Sequence, residues 1–148
     1  QVQRVQGYRD AHKSYNLPVN EDLIRVIPRE NIPESVCKTL NEWKMMGEFP
    51  TGLFVANNQL ALGCLESFKS CHVAVPSDLS FISFDDVDIF KFTAPPVTSV
   101  MQPLEAIATN AVEIILEEIK NKNDNSLLGK RSICLEPKLI HRESVLSI

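Results

Sequence analysis

The chain has 148 residues, of which 44% are hydrophobic and 23% charged, with a formal net charge of −4. That length supports one domain with its own core, and the composition excludes a disordered or collagen-like chain. No stretch approaches the roughly 18 consecutive apolar residues of a membrane-spanning helix, residues 1–9 are too polar for a signal peptide, and the acidic balance offers no basic face to a phosphate backbone. Neither a membrane partner nor a direct grip on DNA is expected of these residues.

Residues 2–16 carry Val2, Val5, Tyr8, Ala11 and Tyr15 at helical spacing and predict an amphipathic helix that stops before Leu17-Pro18. The chain begins inside this pattern, without Met and without a capping residue, which reads as a fragment or a processed chain. Residues 23–27 form a short β-branched run closed by Pro28, and Pro33 opens a second helix with Val36, Leu40, Trp43 and Met46 before Gly47. The spacing of Trp43 makes it a packing residue.

Residues 51–56 are a compact apolar run, as in a parallel strand covered on both faces. Asn57 then caps a helix whose inward stripe is Leu60, Ala61, Cys64, Leu65 and Phe68. Residues 79–84 predict another strand, ending at Asp85 and Asp86, and residues 97–100 a third after the stiff Pro95-Pro96 turn. Residues 103–122 predict the longest helix, 121–129 a polar loop, and 133–135 with 139–140 closing strands around Pro137. Strands alternating with helices in this way indicate an α/β fold with a mostly parallel sheet. In such sheets small molecules bind beyond the carboxyl ends of the strands, where Asn57-Asn58 and Asp85-Asp86 fall.

The four cysteines, Cys37, Cys64, Cys71 and Cys134, show no C-x-x-C spacing, and His12, His72 and His141 stand far apart. No metal site and no cofactor are expected, and the cysteines read as free thiols of a reducing, cytoplasmic compartment rather than a disulfide framework. The chain also lacks a G-x-S-x-G elbow, P-loop glycines and a histidine near a plausible partner. Asp85 and Asp86 would point to opposite faces of a continuing strand, a poor acid/base pair, so no catalytic residue is proposed.

Five segments, in this order and spacing, resemble the effector-binding core of lactose-repressor and galactose-repressor type transcription regulators, itself similar to periplasmic sugar-binding proteins of type I. They are Arg4-Val5-Gln6-Gly7-Tyr8; Pro50-Thr51-Gly52-Leu53-Phe54-Val55-Ala56-Asn57-Asn58-Gln59-Leu60-Ala61-Leu62-Gly63; Val75-Pro76-Ser77-Asp78-Leu79-Ser80-Phe81-Ile82-Ser83-Phe84-Asp85-Asp86; Pro95-Pro96-Val97-Thr98-Ser99-Val100 with Gln102-Pro103; and Leu139-Ile140-His141-Arg142-Glu143-Ser144. The resemblance covers essentially the whole chain. It implies a three-layer α/β sandwich of which this chain holds mainly the second of two subdomains: residues 1–102 and 131–142, with the helix 103–122 belonging to the first. The DNA-reading domain would be absent.

By the same resemblance, four residues would contact a small-molecule effector, expected to be a sugar, in the cleft between subdomains. The planar fork of Arg4 suits vicinal hydroxyls, although a lone helix arginine is ordinarily just solvated. Asn57 offers a donor and acceptors, while a helix cap alone would explain an Asn there. Asp85 supplies a charged acceptor, its alternative being an Asx-turn at a strand end. Gln102 sits at a crossover, where a polar residue before a helix-starting proline is an equal alternative. Asn58 departs from the family's usual aspartate, and Asp86 reads as structural. The loop 28–33 lacks the aromatic ring that often stacks on a sugar, and Phe90 or Phe92 are the substitutes for a ring or an interface contact.

The implied role is the sensing and dimerisation part of a regulator that reaches operator DNA through another domain, as a homodimer. An exported solute-binding protein of a transport system and a pure oligomerisation module are the alternatives. The stripe along 103–122 would expose several hundred Å² of apolar surface, so self-association or a swapped helix is expected.

Overall fold

The structure is a computed structural model that describes residues 2–120 and 132–146. Helix α1 (Val2–Ser14) leads through a one-turn 3-10 helix (Glu21–Leu23) to α2 (Ile32–Met46). Strand β1 (Gly52–Val55), helix α3 (Asn58–Ser70) and strand β2 (Ser80–Phe84) follow as a βαβ unit, and a second 3-10 turn (Asp88–Lys91) leads to β3 (Thr98–Met101). Helix α4 (Leu104–Lys120) and strand β4 (Lys138–Ile140) complete the described elements. The four strands lie in the order β1-β2-β3-β4, parallel from β1 to β3, with β4 antiparallel to β3. This is the mostly parallel α/β sheet expected.

The core lies between the sheet and the pair α2 and α3. Phe81 on β2 meets Phe68 on α3 edge to face at 5.1 Å, with Leu40, Trp43, Ala61 and Leu79 buried around them. Trp43 is a packing residue, its indole N–H donating to the Asp22 carbonyl at 3.2 Å. The two helices approach so closely that a Cβ at Gly63 would strike the Ile32 side chain. Gly47 ends α2 in the left-handed region at φ 74°, its N–H and that of Glu48 returning to the Lys44 and Trp43 carbonyls, as glycine past a helix end does. Asn57 caps α3 by accepting the Leu60 N–H at 2.8 Å.

Several expectations need correction. The β-branched run 23–27 is no strand: Leu23 ends the 3-10 turn, and residues 24–27, although Ile24 is extended, pair with no strand among the described residues. Residues 133–135 are likewise not a strand; β4 begins only after Pro137. Cys37 and Cys71 are not free thiols: α2 and the end of α3 bring their Cα atoms to 6.0 Å, within disulfide range, and they are bonded. Cys64 and Cys134 are free. Phe90 is fully buried and so unavailable to a ligand, whereas Phe92 is exposed. The expected loop 121–129 and the last two residues of the helix expected over 103–122 lie outside the described residues. Helix α4 has no buried residue, and Leu104, Val112, Ile115, Leu116 and Ile119 are each at least half exposed.

Candidate functional site

The carboxyl ends of β1, β2 and β3 lie side by side because the three strands run parallel in register. Asn57 follows β1, Asp85 follows β2 and Gln102 follows β3, so chain direction alone brings three of the expected contacts to one rim. Arg4, near the start of α1, reaches the same rim: its guanidinium donates to the Ala56 carbonyl and lies over the Phe84 ring at 4.0 Å. Gln102 donates to Asp85 through Nε2 and Oδ1 at 2.5 Å. Local contacts thus join Arg4 to the residues preceding Asn57 and Asp85, and Asp85 to Gln102.

Backbone geometry at Asp85 is unusual. Its φ of 70° lies in the left-handed region, which aspartate tolerates better than most residues, and its N–H is held by the Val100 carbonyl at 3.0 Å. Departing from strand geometry here separates the two carboxylates. Asp85 turns toward Gln102, whereas Asp86 forms a two-pronged pair with Arg142 at 2.7 and 2.9 Å and accepts from Ser99 Oγ at 2.6 Å. Both side chains of that pair are almost nine-tenths covered. Hydrogen bonding from Arg142 holds the Asp86 carboxyl below its ordinary range, with burial opposing and Ser99 reinforcing; the same pairing raises Arg142.

Asp86 is therefore structural, as expected, but the network around it was not legible in the sequence. Arg142 also donates to the Val97 carbonyl at 2.6 Å, and Ser144, buried, links the Thr98 N–H to the Phe81 carbonyl. The closing Arg142-Glu143-Ser144 segment is a clasp on β2 and β3. Phe84 was also missed. Its only signal was its place immediately before Asp85 at a strand's carboxyl end, and it supplies at the rim the aromatic face that the loop 28–33 lacks.

Chemically the rim offers a partly engaged guanidinium, a carboxylate and two carboxamides. The Asn57 amide nitrogen makes no bond among the described residues, since capping uses only its oxygen. Such a set can donate to and accept from hydroxyl or carbonyl groups of a neutral polar molecule. It holds no nucleophile with an adjacent base. Among the described residues no group of three His, Cys, Asp or Glu side chains is arranged to hold a metal ion. None of their helices is long and apolar enough to cross a membrane. Cys64, free but buried, has its thiol pushed up to about 12 by desolvation and stays protonated near neutral pH.

The chain is similar to known transcription regulators. The HTH-type transcriptional repressor PurR of Photobacterium profundum is 30% identical over 143 residues, and that of Haemophilus influenzae 33% over 145, covering 97% and 98% of this chain. The chain spans only 41% and 42% of those two relatives. Among solved structures, a putative LacI-family transcriptional regulator from Sanguibacter keddieii superposes with a TM-score of 0.80 at 32% identity, covering 95% of this chain and 52% of its own. A sugar-binding LacI-family regulator from Escherichia coli complexed with phosphate gives 0.73 at 28%, covering 98% of this chain and 50% of its own. The family described as periplasmic binding protein-like domain matches residues 1–145, nearly the whole chain, and the protein belongs to it.

Proposed function

We propose that this chain is the effector-sensing part of a DNA-binding transcription repressor, holding a sugar-class effector in the cleft between two subdomains. The observation that carries this reading is the convergence of Arg4, Asn57, Asp85 and Gln102 at the carboxyl rim of the parallel strands. Residues 1–102 and 131–142 form the second subdomain, and 103–122 crosses to the first. Effector bound between the jaws favours one arrangement of the subdomains, and that bias is passed to a DNA-reading domain outside these residues. The intact protein acts as a cytoplasmic homodimer, is not an enzyme and uses no cofactor.

The repressor relatives favour this reading over an exported solute-binding protein, although the Cys37–Cys71 bridge would suit an oxidising compartment. Titration calorimetry on the full-length protein, against a panel of sugars and purine nucleosides, tests it. Arg4→Ala and Asp85→Ala are expected to weaken the bound panel member by about 1.5–3 kcal/mol each, as for hydrogen bonds to charged groups. Unchanged affinity in both variants rejects the site.

A further inference from the structure

The Cys37–Cys71 bridge carries the inference. Helices α2 and α3 run side by side in the same direction: Ile32 meets Gly63, Ser67 Oγ donates to the Pro33 carbonyl at 2.7 Å, and the bridge joins Cys37 to the residue that ends α3. Lys44, two turns beyond Cys37, donates through Nζ to the Cys71 carbonyl at 3.2 Å. These contacts, together with Val36, Leu40, Cys64 and Phe68 in the core, hold the two helices against each other without the bridge. Opened to two thiols, the pair therefore stays within reach of closure, since its Cα separation of 6.0 Å is set by helix packing.

The two free cysteines show by contrast what suits this pair to exchange. Cys64 is sealed in the core, where desolvation pushes its thiol up to about 12, and Cys134 is exposed but unpaired among the described residues. Cys37 is only half-buried, so a small disulfide can approach it, whereas Cys71, 9% exposed, is reached chiefly through Cys37. The Lys44 ammonium beside Cys71 favours a thiolate in this neighbourhood, against the negative end of the α3 dipole. In an oxidising compartment such a bridge is a fixed staple, but in a reducing one a disulfide is as a rule transient and serves catalysis or redox sensing.

We propose that Cys37 and Cys71 form a reversible thiol–disulfide switch, which gives the sensor a second input: the oxidation state of small thiols of the glutathione class. The proposal rests on the cytoplasmic repressor reading. Oxidation starts at Cys37, whose thiolate attacks the small disulfide; one of its sulfurs joins Cys37 and the other leaves as a thiol. The Cys71 thiolate then attacks the Cys37 sulfur, closing the bridge and expelling the second small thiol. Two protein thiols are oxidised, one small disulfide is reduced to two thiols, and the two protons lost by the cysteines end on them. Excess small thiol runs the sequence backward. The bridged state ties the end of α3 to α2, whereas the dithiol state leaves that end to its backbone hydrogen bonds, Cys71 N–H to Ser67 and Val73 N–H to Phe68. The same helix carries Asn57 as its N-cap, about 20 Å away at 1.5 Å per residue, so the input acts on a helix that borders the rim.

The test uses the full-length protein without denaturant or effector, equilibrated in glutathione buffers from fully oxidised to fully reduced, quenched in acid, alkylated and read by mass spectrometry of the peptides that carry Cys37 and Cys71. The pair is expected to pass from mostly bridged to mostly dithiol across that range, and to return when the ratio is reversed. Amide exchange at Cys71 and Val73 is expected to be about tenfold slower in the bridged form than in the dithiol. Cys71→Ser, close in size to the reduced residue, should abolish that response; a response that survives belongs to other thiols and overturns the proposal. A bridge that resists millimolar reduced glutathione in the native state overturns it as a structural crosslink, and so does a pair that never closes or that stops at a mixed disulfide. None of these outcomes touches the rim, because effector binding, measured separately by calorimetry, decides that reading on its own.

Discussion

Phe81 on β2 and Leu116 on α4 are both large apolar residues on regular elements, yet the first is fully buried and the second half exposed. What separates them is the presence of a second surface. The β1-α3-β2 unit brings its own cover, because the crossover helix returns over the strands it joins and α2 packs on that helix. Helix α4 leaves the sheet after β3 with an apolar stripe and, among the described residues, meets nothing that buries it. Amphipathic patterning thus records that an element has a partner, and not where the partner is. Stability should follow the cover rather than the hydrophobicity of the residue.

The largest expected effect comes from the covered region. Phe81→Ala removes a fully buried ring against Phe68 and should cost about 3–5 kcal/mol, read as a lowered denaturation midpoint in urea. A loss under 1 kcal/mol would mean that the sheet and α3 do not form one cooperative core.

That core was legible because its signals are local. Asn57 announces α3, Gly47 ends α2, and the apolar run 51–56 marks β1 as a parallel strand, although it is not covered on both faces as expected: Phe54 is exposed and only Val55 of β1 is buried. The rim was legible in part: Asn57 and Asp85 follow strands, and strand direction does the rest. Missing were features that depend on distant partners. The strand signal at 23–27 was realised in no ladder because pairing needs a neighbour. The Cys37–Cys71 bridge was missed because two helices, not the spacing of the cysteines, bring it together. The clasp of Arg142 on Asp86 joins residues 56 positions apart, and no pattern in the intervening chain encodes it.

The clasp gives the second prediction. Arg142→Ala leaves the Asp86 carboxylate largely covered without its counter-charge, and should cost about 3 kcal/mol at pH 7, the low end for breaking a buried pair. The pH dependence has a definite sign. Asp86 is depressed in the folded state, so its contribution is present above the unfolded carboxyl range, near pH 4, and is lost as pH falls through the lower folded value. The gap between wild type and variant should therefore be constant from pH 7 to pH 5 and shrink below about pH 4. A gap that persists undiminished in acid would assign the loss to packing.

Smaller still is the cap. Asn57→Ala should cost about 1 kcal/mol of stability by freeing the Leu60 N–H, whatever the role of the side-chain nitrogen toward an effector. Asn57→Asp keeps the acceptor and removes the amide donor. Stability near wild type with weakened effector binding would separate the two uses of this side chain, and equal losses of stability in both variants would show that the cap hydrogen bond is not what Asn57 contributes.

Smallest should be a change on the uncovered helix. Ile115→Ala removes an exposed β-branched side chain from α4 and puts the best helix former in its place. Nothing is uncovered by the exchange, so the effect in dilute solution should lie within about 0.5 kcal/mol of zero, in either direction. Repeating the measurement across protein concentrations sharpens the contrast with Phe81. A monomer whose stripe stays wet gives the same small value at every concentration. If a second copy covers the stripe, association adds to stability by mass action, and the variant falls further behind wild type as concentration rises. Phe81→Ala, whose cover lies within the same chain, should lose a similar amount under either condition.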